Sequence, residues 1–95
     1  MSLSAVNVTT TASELVAAKA NRVMLIIQNI SDTDLYLKLD SSATEVSTSN
    51  GLRLAAGDPP FVVTCNPGRF TNAIRGIHGG TGNKEIRVTE EAMGD

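Results

Sequence analysis

Residues 21–39 read Asn21-Arg22-Val23-Met24-Leu25-Ile26-Ile27-Gln28-Asn29, then Ile30-Ser31-Asp32-Thr33, then Asp34-Leu35-Tyr36-Leu37-Lys38-Leu39. This is an apolar run, a polar turn and an alternating run. In the last piece Leu35, Leu37 and Leu39 fall on one side of an extended strand and Asp34, Tyr36 and Lys38 on the other. That is the period of a half-buried strand. In the first piece Val23, Leu25 and Ile27 share one parity, but Met24 and Ile26 hold the other, so both faces are apolar. Such a strand needs cover on each side, from a second sheet or from a neighbouring protein. The expectation is that a second sheet covers it, leaving loops and tails for contacts with other copies.

Working outward, clusters of Gly, Pro, Asn, Asp and Ser punctuate the chain at short intervals, from Lys19-Ala20-Asn21 to Gly79-Gly80-Thr81-Gly82-Asn83. Such residues supply the backbone angles that turns require. Between them lie eight apolar or alternating pieces, at 3–9, 14–18, 22–29, 33–39, 51–55, 61–64, 72–78 and 84–89. Short strands at regular spacing with no clear helix predict an all-β fold, a two-layer sandwich or a small barrel. Ser13–Ala20 also contains good helix formers behind an N-capping serine. It is too short to hold as a helix alone, and a strand is expected. The polar stretch Ser41–Asn50 is expected as a surface loop.

The chain has 95 residues, enough for one domain. Its only aromatic residues are Tyr36, Phe61 and Phe70, so the core must be aliphatic. Cys65 is the sole cysteine and cannot form an internal disulfide. A net charge of -2 argues against a dedicated nucleic-acid binder, which draws its affinity from a basic surface. Charge is nevertheless uneven. Arg69, Arg75, Lys84 and Arg87 crowd the last third, and Glu90, Glu91 and Asp95 end the chain. This reads as a mixed surface with a solvated tail, or as an acidic arm that docks on a neighbouring copy. No basic and apolar leader opens the sequence, and no apolar run approaches the ~20 residues that span a bilayer. The expectation is a soluble protein made in the cytosol, with no membrane partner.

Motifs that carry chemistry are missing. His78 and Cys65 lie in separate segments, and no clustered Cys or His ligands suggest zinc or another metal. The glycine-rich Gly79–Lys84 segment lacks the spacing of a phosphate loop, and an alternating strand rather than a helix follows it. It is expected as a hairpin loop whose glycines let a neighbouring subunit approach closely. Glu14, Glu45 and Glu85 stand in different segments, so no paired carboxylates emerge. Tyr36 is the one candidate stacking platform and is better explained by cross-strand packing. No enzyme and no cofactor are expected.

Three stretches carry a resemblance. They are Asn21-Arg22 with Ile26-Ile27-Gln28-Asn29, Ser31-Asp32-Thr33-Asp34 and Tyr36-Leu37; Gly51 with Arg53-Leu54-Ala55-Ala56-Gly57; and Ile77-His78-Gly79-Gly80-Thr81-Gly82-Asn83-Lys84. Over about residues 12–89 the chain resembles small structural proteins of tailed-phage virions, some of them head-decoration, cement or fibre-associated proteins. The resemblance implies a compact β-sandwich, jelly-roll-like, that binds the virion surface. It implies a non-enzymatic decoration or cement protein on the outer capsid, assembled in the host cytoplasm as a dimer or trimer on the major capsid protein lattice. The alternative is a fibre or tail-associated adhesion module for a host glycan or protein. The expected organisation is an N-terminal arm or first strand at 1–11, the sandwich at 12–89 and a flexible acidic tail at 90–95. The candidate interface residues are Arg69, Arg75, Arg87, Gly79, Gly80, Asn83, Glu90 and Glu91, with Met1–Thr11 and Ser41–Asn50 as further contact regions.

Overall fold

The computed structural model describes residues 2–39, 44–65 and 71–93. Arg69 lies outside them. Eight strands form: β1 (Ser2–Val8), β2 (Ser13–Val16), β3 (Arg22–Asn29), β4 (Leu35–Lys38), β5 (Leu52–Leu54), β6 (Phe61–Thr64), β7 (Ile74–His78) and β8 (Lys84–Ala92). No helix occurs among the described residues. β1 pairs with β8, β2 with β7, β3 with β6 and β4 with β5, all antiparallel. The chain is thus one long antiparallel ribbon with its midpoint between β4 and β5. Rolling the ribbon adds the pairings of β3 with β8 and of β4 with β7. The result is two four-stranded sheets, β1-β8-β3-β6 and β2-β7-β4-β5, in the strand order of a jelly roll.

Every connection except that from β4 to β5 crosses from one sheet to the other. Gly79–Asn83 was expected as a hairpin loop and is instead such a crossing, because β7 and β8 belong to opposite sheets. Local alternation on both sides of a glycine turn does not tell a hairpin from a sheet-to-sheet corner.

The core is aliphatic. Val8, Leu25, Ile27, Leu35, Leu37, Ile74 and Ile86 are all buried, and partly buried Phe61 and Val63 pack against them. Each fully buried side chain of this kind contributes about 1.5–3 kcal/mol. Ser13–Val16 is a strand, with a bulge between Glu14 and Val16. The extra residue lets the consecutive Leu15 and Val16 both turn inward. Gly76 pairs with Ser13 and lies against the Leu15 side chain, and a Cβ there would come within 2.5 Å of Leu15 Cδ1 and 3.2 Å of the Tyr36 carbonyl oxygen.

Two expectations change. Leu25 and Ile27 face the core, so alternation places Met24 and Ile26 on the outer face of their sheet, only partly buried. The second sheet does not cover them, since a sandwich layer has only one inner face. The acidic stretch from residue 90 is not a tail at its start. β8 continues to Ala92, and Glu90 pairs in register with Ser2 and Leu25. The chain ends expected as mobile are held in strands: Ser2–Ser4 pair with Val88–Glu90, and Glu91 and Ala92 pair with Met24 and Arg22 on β3.

Candidate functional site

Strand direction and register bring four sheet-crossing loops, 9–12, 30–34, 55–60 and 79–83, to one end of the sandwich. Asn29 is the buried centre of this end. Its Nδ2 donates to the carbonyls of Thr33 and Leu54, both at 2.9 Å. Its Oδ1 accepts from the Ser31 backbone N–H at 3.1 Å and lies 2.6 Å from Ser31 Oγ. One amide therefore shapes the β3–β4 corner and ties it to β5. Asp34 Oδ1 accepts the Ala56 N–H at 3.1 Å, while Arg53 approaches its other oxygen at 3.6 Å. Ala55 N–H in turn donates to Asp58 at 2.8 Å.

The glycine-rich loop joins the same network. His78 is 2% exposed. Its Nδ1 accepts the Gly80 N–H at 3.0 Å, so Nε2 carries the proton and donates to the Gly82 carbonyl at 2.6 Å. Gly82 adopts φ 67, which suits glycine. A Cβ on Gly80 would meet Thr33 Oγ1 at 3.0 Å, so these two corners touch. Lys84 Nζ reaches Asp32 Oδ1 at 2.9 Å. That bond first, and one from Thr33 second, hold the Asp32 carboxyl below its ordinary value. A shallow cleft of about 240 Å³ opens between Thr33, Tyr36 and Gly80.

The opposite end is fastened by Arg22. A bulge between Arg22 and Met24 turns this side chain inward, where it is 1% exposed. Nε donates to Glu90 Oε2 at 2.7 Å, Nη2 to the Ala17 carbonyl at 2.7 Å and Nη1 to the Asn72 carbonyl at 3.2 Å. Lys19 adds a second, longer pair to Glu90 at 3.7 Å. Cys65 is fully buried, and that burial raises its thiol pKa.

The expected interface residues do not form one patch. Gly79, Gly80 and Asn83 belong to the loop end. Glu90 is spent on Arg22 inside the chain. Arg75 projects from the outer face of the second sheet and grips Glu45 at 2.9 Å and 3.1 Å and the Ala12 carbonyl at 3.3 Å. The Glu45 carboxyl sits below its ordinary value, chiefly because it accepts the Val46 N–H and secondly because of Arg75. Val46 is itself buried, so the polar loop around it is anchored in the core. Arg87 and Glu91 share the outer face of the β1-β8-β3-β6 sheet, where Arg87 pairs with Glu85.

That outer face carries an apolar row. Leu3, Thr89, Ile26 and Val62 stand side by side across all four strands. Leu3 is 77% and Val62 56% exposed. Met24 lies one row away, beside Glu91. Sequence reasoning gave no role to Arg22 or Asn29, and of this row it singled out only Ile26, for which it expected cover from the second sheet. The parity shared by Ile86, Val88 and Glu90 was a usable signal for Glu90, because it sets that acid on the core face.

No buried side-chain nitrogen or oxygen lacks a hydrogen-bond partner, and no group of three or more His, Cys, Asp or Glu is placed to hold a metal, among the described residues. In comparisons with family models, curated proteins and solved structures, the chain matches none.

Proposed function

We propose that this chain is a non-enzymatic virion structural protein of a tailed phage, a capsid decoration or cement protein that binds the outer capsid surface and stabilises the shell. One observation carries the reading. The three separate stretches that resemble phage virion proteins meet at the loop end and bond to one another: Asn29 to Leu54, Asp34 to Ala56, and Asp32 to Lys84. What looks like three motifs in sequence is one bonded platform in space, made of corners from both sheets. A platform of this kind suits repeated docking on a lattice, where many modest contacts add to a high effective affinity. Each copy bridges adjacent subunits of the major capsid protein, so parting the subunits also requires breaking its contacts. The residues offered to the lattice are those of the 30–34, 55–60 and 79–83 loops, including exposed Ile30. The site of action is the virion, after assembly in the host cytoplasm.

The purified chain, added to expanded shells that lack it, is expected to co-sediment with them and to leave host cells unbound. Binding to host cells without binding to shells would overturn the reading.

A second reading, a fibre or tail-associated adhesion module, draws on one feature. An open groove of about 340 Å³ runs between β4, β5 and the 44–51 loop, with Lys38, Thr44 and Asn50 as its polar side chains. It has no aromatic platform among its lining residues, which is what a sugar ring would stack on.

A further inference from the structure

We propose that the outer face of the β1-β8-β3-β6 sheet binds a second copy of this chain, face to face, about a two-fold axis lying along the Leu3–Thr89–Ile26–Val62 row. The face is self-complementary in charge under that operation. Arg87 and Glu91 stand two residues to either side of Thr89 on β8, with side chains on the same face. Rotation about an axis along the row keeps each strand over its own copy and reverses its direction. Arg87 of one copy then faces Glu91 of the other, and the same pair forms again by symmetry. The apolar row lies on its own image, with Ile26 and Val62 packed against their counterparts. Gln28, the neighbour of Arg87, falls over the flexible Met24 beside Glu91.

The chain's own structure leaves this arrangement open. Arg87 is half exposed and touches Glu85 through one nitrogen, Nη1, so its fork retains donors. Glu91 forms no salt bridge among the described residues. The face also accounts for β3, whose Met24 and Ile26 are apolar and only partly buried, with no layer among the described residues above them. Four strands at about 4.8 Å spacing give a face about 19 Å wide. Two such faces bury on the order of 1,000 Å², the low end of specific interfaces. The association is therefore weak, with a dissociation constant on the order of micromolar.

The pairing needs no capsid, so it stands or falls separately from the decoration reading. The test is sedimentation equilibrium of the purified chain from about 1 to 200 μM, spanning the expected constant, with Arg87→Glu and Glu91→Arg variants. The unsubstituted chain is expected to pass from monomer to dimer across that range. Each variant alone places like charges opposite each other twice, and its dissociation constant is expected to rise about 10- to 100-fold. The two variants mixed in equal amounts are expected to form a heterodimer, because acid again meets base at both positions. Circular dichroism reports that each variant keeps its sheets. A monomer at every concentration, variants that dimerise as tightly as the original chain, or a mixture that stays monomeric would each overturn the proposal.

Discussion

Arg22, buried, and Glu90, partly buried, form an ion pair, Nε to Oε2 at 2.7 Å, that joins the first residue of β3 to the last stretch of β8 before its end at Ala92. The same guanidinium satisfies two carbonyls, so its planar fork is used on three sides. Replacing it with alanine leaves Glu90 with the longer Lys19 pair and removes the guanidinium donors to both carbonyls, at a cost of about 3–5 kcal/mol. Arg22→Lys is expected to recover little, because a single ammonium cannot reproduce three fixed directions. Thermal denaturation checks this, with a fall in Tm above about 10 °C expected for both variants. A lysine variant as stable as the original chain would contradict it.

Asn29 uses both ends of its amide, and a truncating and an isosteric substitution together test what they contribute. Asn29→Ala is expected to cost about 2 kcal/mol, chiefly through the unpaired Leu54 carbonyl, because Ser31 Oγ still reaches the Thr33 carbonyl at 2.9 Å. Asn29→Asp keeps the shape but turns a carboxylate toward those two carbonyls, and is expected to cost more than the alanine variant. Urea denaturation of the two variants gives the order. The reverse order would show that cavity formation, not hydrogen bonding, dominates at this corner.

Gly76 leaves room for Leu15 across the β2–β7 pair. Gly76→Val is expected to destabilise by at least about 2 kcal/mol, since Leu15 and the Tyr36 carbonyl both block the added atoms. Pairing it with Leu15→Ala is expected to return part of the loss. A double variant no better than the sum of the singles would place the strain elsewhere.

Acid is expected to loosen the 44–50 loop and the β3–β4 corner. The Glu45 and Asp32 carboxyls lie below their ordinary values in the folded chain, so the unfolded chain takes up these protons first. Their contribution is complete above the ordinary values, 4.5 for Glu45 and 3.8 for Asp32, and fades as pH falls below them. Both groups are exposed, so the effect is small. Stability measured against pH is expected to fall less steeply below 4.5 in the Glu45→Gln variant than in the original chain. Identical slopes would remove Glu45 from the acid response.

Strand positions were legible because they depend on local alternation and punctuation. The Leu35 and Leu37 parity, the apolar Arg22–Asn29 run and the Gly and Pro turns gave all eight strands close to their observed bounds. Sheet membership was not legible. A corner and a hairpin share the same glycines, and only the pairing of β7 with β2 and of β8 with β1 separates them. Arg22 escaped notice because a one-residue bulge reverses its side, and nothing in Asn21-Arg22-Val23 announces a bulge. The roles of Asn29 and His78 were not legible, since their partners, Leu54 and Gly82 among them, come from corners set by the whole roll.

The proposed decoration role would place this chain in a tailed-phage particle, and a cryo-electron microscopy map of that particle tests it most directly. The account predicts jelly-roll density on the outer capsid, with the 30–34, 55–60 and 79–83 loops against the major capsid protein across a subunit seam. Density for the chain on the fibre or tail, or a capsid that carries none, would contradict it.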